Sequence, residues 1–389
     1  MSALAVAGVT AKHVVTPHTA AEMSDAIRSL AADGAAFALL GGGTELALGN
    51  APRALDTLVR TTGLDRVVEY APEDQTITVE AGITFAELDR VLAEHGQMLP
   101  LDVPDRHRAT VGGAIAANTS GRRRLRYGTV RDLIVGVGIV RPDGTPARGG
   151  GKVVKNVAGF DLPKLMVGSL GTLGAITRAT FRLYPLPEAR AALRIDVEST
   201  AVLDRLTALL VHERLEPESV ALYDRRTLVV TFAGTAAGVE EQAARLSARC
   251  GALAAPLSDL ELEAFDQREQ AVRRDGDWRV RVAVPPAVDV SAPGAALAAQ
   301  PIAVPVAYPL TGLALHAFAD APDIAALRAA VHTASRGAGA VVVTAMPDAA
   351  RATTDAWGPP PEGFPLMRAL KANFDPRGLC NPGRFVGGL

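Results

Sequence analysis

Apolar residues along this chain come in short runs closed by glycine, separated by stretches in which they recur every three or four positions. Residues 19–32 place Ala26, Ile27 and Leu30 on one helical face, with Glu22 and Asp25 early, where the helix dipole favours acids. The unbroken run from Phe37 to Leu40 predicts a short buried strand that passes straight into glycine. A second block predicts strands at 67–70 and 76–80, a helix over 84–95 and a strand at 98–100. Thr84, three residues before Glu87, has the spacing of a capping box and sets where that helix begins. Residues 132–140 read as a buried strand, Asp143 and Gly144 as a hairpin turn and 145–148 as the returning strand. A helix over 162–167 and a strand over 175–184 complete the block.

Pro185 and Pro187 mark a boundary, because proline cannot donate to a sheet ladder and restricts the residue before it. Beyond it, strands at 192–197, 219–223, 227–232, 279–284, 313–318 and 340–344 alternate with alanine-rich helices at 201–211, 236–249 and 323–335. That order predicts an antiparallel sheet with helices on one face, so the fold class is α+β. Residues 285–309 and 357–361, rich in proline, read as irregular connections.

The candidate chemistry lies in the glycines. Gly41, Gly42, Gly43 and Thr44 follow the first strand, and a second Gly/Ala-rich segment runs from Thr110 through Val111, Gly112, Gly113, Ala116 and Asn118 to Gly121. A backbone approaches an anion closely only where Cβ atoms are absent, and successive bare N–H groups then form an anion-binding concavity. Two such loops can grip two ends of one diphosphate, which points to a dinucleotide cofactor. The same glycines would also suit a tight strand turn in the first loop and plain close packing in the second.

Length and charge narrow the picture. The 389 residues predict two or three domains. A net charge of −2 supplies no general attraction for nucleic acid. The run Arg122, Arg123, Arg124 and Arg126 lacks interleaved aromatics; it could neutralise a diphosphate, hold a carboxylate substrate, dock an acidic partner or form a solvated loop. Two cysteines, Cys250 and Cys380, cannot build a zinc cluster or an iron–sulfur cradle. No basic, apolar leader opens the sequence and no apolar stretch reaches ~18 residues, so the expected location is cytoplasmic, with any peripheral membrane attachment made through partners.

Five ordered blocks resemble the FAD-binding oxidoreductases of the vanillyl-alcohol oxidase (PCMH-type) superfamily, and among them the FAD-binding E subunits of glycolate oxidases. They are the first glycine loop, Thr110 to Gly121 with the run Arg122 to Asp132, Lys155 to Leu162, Lys164 to Gly174, and the terminal Phe374-Asp375-Pro376 with Asn381 to Phe385. The resemblance implies a two-subdomain flavin domain over residues 1–187, divided at about 66, an α+β cap domain over 188–355, and a tail over 356–389 that returns to the flavin domain. It implies cofactor contacts from Gly41, Gly42, Gly43, Thr44, Glu45, Thr110, Val111, Gly112, Gly113, Ala116, Asn118, Gly121, Asn156, Gly168, Ser169, Gly171, Gly174, Ile176, Asn381 and Arg384. Gly168 to Gly174 also suits a helix-to-strand turn with left-handed glycines, and the tail could equally be a surface cap.

Relatives that tether FAD covalently use a histidine in the first loop, and none stands there, so non-covalent FAD is expected. Catalytic relatives carry metal-binding histidines in the second domain; the seven histidines here show no such pairing, and no metal is expected. His316 is the one histidine nominated as a base, against the simpler reading of a hydrogen-bonded structural histidine. The implied function is that of an FAD-binding subunit in a glycolate (2-hydroxy acid) oxidase complex, with a paralogous flavin subunit and an iron–sulfur subunit as partners. The alternatives are a self-contained FAD-dependent alcohol or sugar-acid dehydrogenase and a non-catalytic assembly subunit.

Overall fold

The computed structural model describes residues 5–151, 160–286 and 302–389. Their contacts group into two compact units, one formed within residues 1–120, 129–185 and 348–389, the other within 121–128 and 186–347. Compared with the boundaries read from the sequence, the short segment 121–128 joins the second unit, and the returning tail begins at 348 rather than 356.

The first unit holds two larger sheets, beside the two-stranded pairs Ala5–Val6 with Val9–Thr10 and Gln97–Met98 with Tyr184–Pro185. Strands His13–Val15, Thr57–Arg60 and Phe37–Leu40 form a parallel sheet with Thr57–Arg60 in the middle. The helix Ala20–Asp33, capped by Thr19, buries Met23 and Ile27 in a core shared with Phe37, Val59 and Leu64. The tail extends this layer: Phe37 N–H donates to the Leu379 carbonyl at 2.9 Å, and Asn381 N–H to the Phe37 carbonyl at 2.8 Å. Cys380 between them is fully buried, and burial pushes its thiol up to about 12.

The other sheet is antiparallel, in the order Pro146–Gly150, Ile134–Val140, Ala175–Arg182, Thr76–Glu80, Val67–Ala71. Against it pack the helix Phe85–Ala93, through Phe85, Leu88 and Leu92, and Val111 and Ile115 of the second glycine segment. That segment is itself helical over Val111–Ala117. Thr84 Oγ1 accepts from Glu87 N–H at 3.3 Å as its spacing predicts, while the Glu87 carboxylate pairs with Arg90. The strand expected at 132–140 starts only at Ile134. Thr129 and Asp132 close a capping box that winds Val130–Leu133 into a helical turn.

The second unit is built on an eight-stranded antiparallel sheet in the order Ala254–Pro256, Ala189–Asp196, Thr227–Gly234, Ser219–Tyr223, Ile302–Tyr308, Leu313–Phe318, Trp278–Ala283, Ala340–Ala345. Strand Ile302–Tyr308 lies within the stretch read as irregular. Pro305 is tolerated there because pairing with Ser219–Tyr223 stops at Val306, so no ladder bond is asked of it on that side. Both alternating sets of the central strand, Val220 with Leu222 and Ala221 with Tyr223, are buried, so the sheet is covered on both faces at its centre rather than on one. The 16-residue helix Asp259–Arg274, absent from the sequence reading, packs Leu262, Phe265 and Val272 on the Ala221 and Tyr223 face.

Candidate functional site

The two glycine segments meet in the first unit and line one groove. A Cβ on Gly41 would strike Thr110 Oγ1, and one on Gly42 would strike the Arg108 carbonyl, so both glycines are needed first to let the loops touch. Gly43 sits at φ +75°, a left-handed conformation open to glycine at little cost. Among the described residues, the N–H groups of Gly42, Gly43 and Thr44 donate to nothing. Three successive unspent donors after a strand form a concavity for an anion.

The second segment is spent differently. Val111 N–H donates to the Ile83 carbonyl at 3.0 Å, Gly112 N–H to the Ala81 carbonyl at 2.7 Å and Gly113 N–H to Thr110 Oγ1 at 3.3 Å. Its donors therefore do not grip a diphosphate, contrary to the expectation of two gripping loops. Gly113 and Ala116 instead offer a smooth wall to the groove, while Val111 is turned into the core.

The turn Gly168–Gly174 closes the far side. Gly168 N–H donates to the Ile115 carbonyl and Leu170 N–H to the Ala116 carbonyl, each at 2.9 Å. Leu170 is held at φ +49°, a strained setting for a branched residue that the surroundings must impose. Asn381, reaching in from the tail, supplies part of that hold: its Nδ2 donates to the Leu170 carbonyl at 3.0 Å. A Cβ on Gly171 would stand 2.5 Å from the same Nδ2.

Arg384 also lines the groove, 3% exposed. Its guanidinium donates to the carbonyls of Leu48 at 2.6 Å, Leu46 at 3.1 Å and Asn50 at 3.4 Å. Among the described residues no carboxylate pairs with it. Burial, with Arg351 nearby as a second cation, lowers its pKa to about 10. A buried cation held only by carbonyl dipoles leaves positive potential to be compensated by whatever enters the groove.

Of the residues named from the sequence, Gly41, Gly42, Gly43, Thr44, Glu45, Thr110, Gly112, Gly113, Ala116, Gly171, Gly174, Ile176, Asn381 and Arg384 come together here. Gly168 and Ser169 line a separate cleft in the same unit with Leu173, Met367 and Lys371. Asn118 caps the helix at φ +51° with a buried, unpartnered Oδ1. Gly121 belongs to the second unit, and Asn156 lies outside the described residues. Sequence reasoning missed Thr61, Leu39, Leu46 and Leu170 in the lining, which carry no signal beyond being near glycine.

The basic run is committed within the second unit. Arg122 pairs with Asp266 and stands 4.0 Å from Glu269, Arg123 stands 3.7 Å from Glu218, and Arg126 donates to the Glu216 carbonyl at 3.1 Å. Burial disfavours the Arg122 cation, yet Glu269 and Asp266 outweigh it and raise its pKa well above the ordinary value. His316, on the strand Leu313–Phe318, is buried with its Nδ1 unpartnered; burial and Arg225 depress its pKa to about 4. Among the described residues no group of three or more His, Cys, Asp or Glu side chains is placed to hold a metal ion, and no helix is long and apolar enough to cross a membrane.

Residues 11–150 match the family model of an FAD binding domain, and residues 356–385 that of the C-terminal domain of FAD linked oxidases. Residues 11–150 thus form an FAD binding domain of the PCMH-type superfamily. The groove fits that cofactor, since its unspent amides and uncompensated Arg384 ask for an anion and its glycine wall admits close approach. This flavoprotein is 40% identical to glycolate oxidase subunit GlcE of Escherichia coli over 132 residues, covering 34% of this chain and 38% of that protein. It is 33% identical to glycolate oxidase subunit GlcD of Bacillus subtilis over 190 residues, 49% of this chain and 40% of the relative. A D-lactate dehydrogenase of Archaeoglobus fulgidus is 37% identical over 172 residues, 44% of this chain and 38% of the relative. The matches thus span about two fifths of the length of these relatives. In fold it is similar to alkyldihydroxyacetonephosphate synthase, with a TM-score of 0.69 at 16% identity, over 96% of this chain and 77% of that one.

Proposed function

We propose that this chain binds FAD non-covalently in the groove and serves as the FAD-binding subunit of a 2-hydroxy acid oxidase complex that converts glycolate to glyoxylate. The observation that carries this reading is the pairing of unspent Gly42, Gly43 and Thr44 amides with the uncompensated Arg384 in one glycine-walled groove. When bound, FAD supplies a two-electron acceptor for the C–H bond of the substrate carbon. The chain's own residues hold it. The three amides donate to diphosphate oxygens, Arg384 supplies compensating charge, Gly113 and Ala116 let the wall approach, and Asn381 fixes the turn at Leu170 that closes the far side. No histidine stands in the loop Gly41–Glu45 to form a covalent link.

Oxidation of a 2-hydroxy acid also needs a base for the hydroxyl proton and a cation for the carboxylate. Arg122 and Arg123 are already matched to Asp266, Glu269 and Glu218, so neither is a ready cation for a substrate carboxylate. That supports a reading in which a paralogous flavin subunit completes the chemistry and an iron–sulfur subunit takes the electrons. The similarity to glycolate oxidase subunits points the same way, while the similarity to D-lactate dehydrogenase favours a self-contained dehydrogenase as the second reading.

The test is the visible spectrum of the FAD-loaded chain under anaerobic conditions before and after glycolate or D-lactate. Flavin bands that persist with the chain alone and bleach once partner subunits are added support the subunit reading. Bleaching with the chain alone establishes the self-contained enzyme instead.

A further inference from the structure

Residues 46–50, which continue the first glycine loop, are held by two guanidinium groups rather than one. Arg384 takes the carbonyls of Leu46, Leu48 and Asn50. Arg351 takes the two between them, Ala47 at 3.0 Å and Gly49 at 2.8 Å. Five successive carbonyls are thereby shared alternately between two cations carried by residues 348–389. The main chains lock together as well: Asn50 N–H donates to the Arg384 carbonyl at 3.0 Å, and a Cβ on Gly49 would stand 2.6 Å from that same oxygen.

The two cations differ in what they face. Arg384 lines the groove and Arg351 does not. The Arg351 side chain is 4% exposed, and its Nε stands 3.2 Å from Asp348 Oδ1, which orients the guanidinium fork toward the loop. Burial first, and then the charge of Arg351, lower the pKa of Arg384, whose cation is held by the carbonyls of Leu46, Leu48 and Asn50. A fork that meets two carbonyls at fixed spacing is a geometric device that an ammonium cannot reproduce.

We propose that Arg351 is a positioning residue for the cofactor: it fixes Ala47 and Gly49 so that Arg384 and the amides of Gly42, Gly43 and Thr44 keep the spacing a diphosphate requires. The effect is that of a supporting shell, which aligns the groups touching a ligand without touching it. This rests on the reading of the groove as the FAD site.

The test measures the FAD dissociation constant of the full chain by flavin fluorescence, alongside the thermal midpoint of the cofactor-free protein, for the wild type, Arg351→Lys and Asp348→Asn. Arg351→Lys should weaken FAD binding roughly tenfold despite keeping the charge. Asp348→Asn, at an exposed carboxylate, should weaken it less and in the same direction. Binding within twofold of wild type in a folded Arg351→Lys protein, or a lower midpoint with unchanged affinity, overturns the proposal. If Arg351→Lys does not fold, unchanged affinity in Asp348→Asn overturns it. A wild-type chain that binds no FAD overturns the reading of the groove instead.

Discussion

Arg384 in the first unit and Arg122 in the second are both buried, yet burial has opposite outcomes for them. Arg122 lies between Asp266 and Glu269, and its charge is more firmly held than that of a free arginine. Arg384 has only the carbonyls of Leu46, Leu48 and Asn50, and its charge is less firmly held. Taking an ion out of water costs several kcal/mol unless a partner offsets it. The first cation is offset within its own unit and serves to tie residues 121–128 to it. Arg384 is left incomplete beside a groove, and that incompleteness supports the proposed FAD site there. A basic residue near a glycine loop in sequence is thus a poor guide to which cation is left without a carboxylate partner.

The contrast can be broken most directly at Arg122. Arg122→Met leaves the partly exposed Asp266 without this partner and the buried Glu269 with Arg273 alone, and should lower the stability of the second unit by about 3 kcal/mol while leaving FAD affinity unchanged. The two tryptophans make this measurable, since Trp278 lies in the second unit and Trp357 in the first. Urea unfolding followed by Trp278 fluorescence in a Trp357→Phe background reads the second unit alone. A variant as stable as its parent would sink the idea of a structural ion pair.

His316 tests the same unit by pH. Its folded pKa of about 4 lies below the ordinary 6.5, so above pH 6.5 it is neutral in both states and contributes nothing. As the pH falls from 6.5 to 4, the unfolded chain gains a proton that the folded one does not, and stability should drop by about 3 kcal/mol. His316→Leu should remove that component of the acid loss in the same Trp278 assay. An equally steep acid loss in the variant would show that other groups carry it.

At the groove the expected effects are on binding. Arg384→Gln should weaken FAD by roughly 10- to 100-fold, with a smaller loss of stability than Arg122→Met. Isothermal titration decides it, and equal affinity would remove Arg384 from the site. The smallest effect is expected at Gly113, inside the helix Val111–Ala117 and open to the groove. Gly113→Ala places a Cβ 3.1 Å from Thr110 Oγ1, which offsets its gain in helix propensity, so the stability of the cofactor-free protein should change by less than about 1 kcal/mol while FAD weakens a fewfold as the wall fills. A variant that gains both stability and affinity would show that the cofactor does not approach there.

Much of the local structure was legible. Strand Phe37–Leu40 followed by glycine, the helix capped by Thr19 and the helix start at Thr84 all came from residues adjacent in the chain. The helix Asp259–Arg274 was not read from the sequence, because its apolar stripe of Leu262, Phe265 and Val272 is broken at the inward position Glu269, whose partners Arg122 and Arg273 do the work that leucines do elsewhere. Arg351 was also invisible, since nothing near it in sequence marks a residue that bonds to Ala47, 304 positions away.

By itself the sequence determined the fold class, the two glycine segments and the strand that feeds the first of them, because apolar periodicity, caps and glycine act over a few residues. The tertiary structure alone decided which amides were left unspent and which arginine was left unpaired. Val111 and Gly112 spend their donors on Ile83 and Ala81, and Arg122 spends its charge on pairing with Asp266 and Glu269. Those partners are chosen by packing between distant segments, and whether a polar group is free to bind a ligand depends on its partners rather than on its neighbours in the chain.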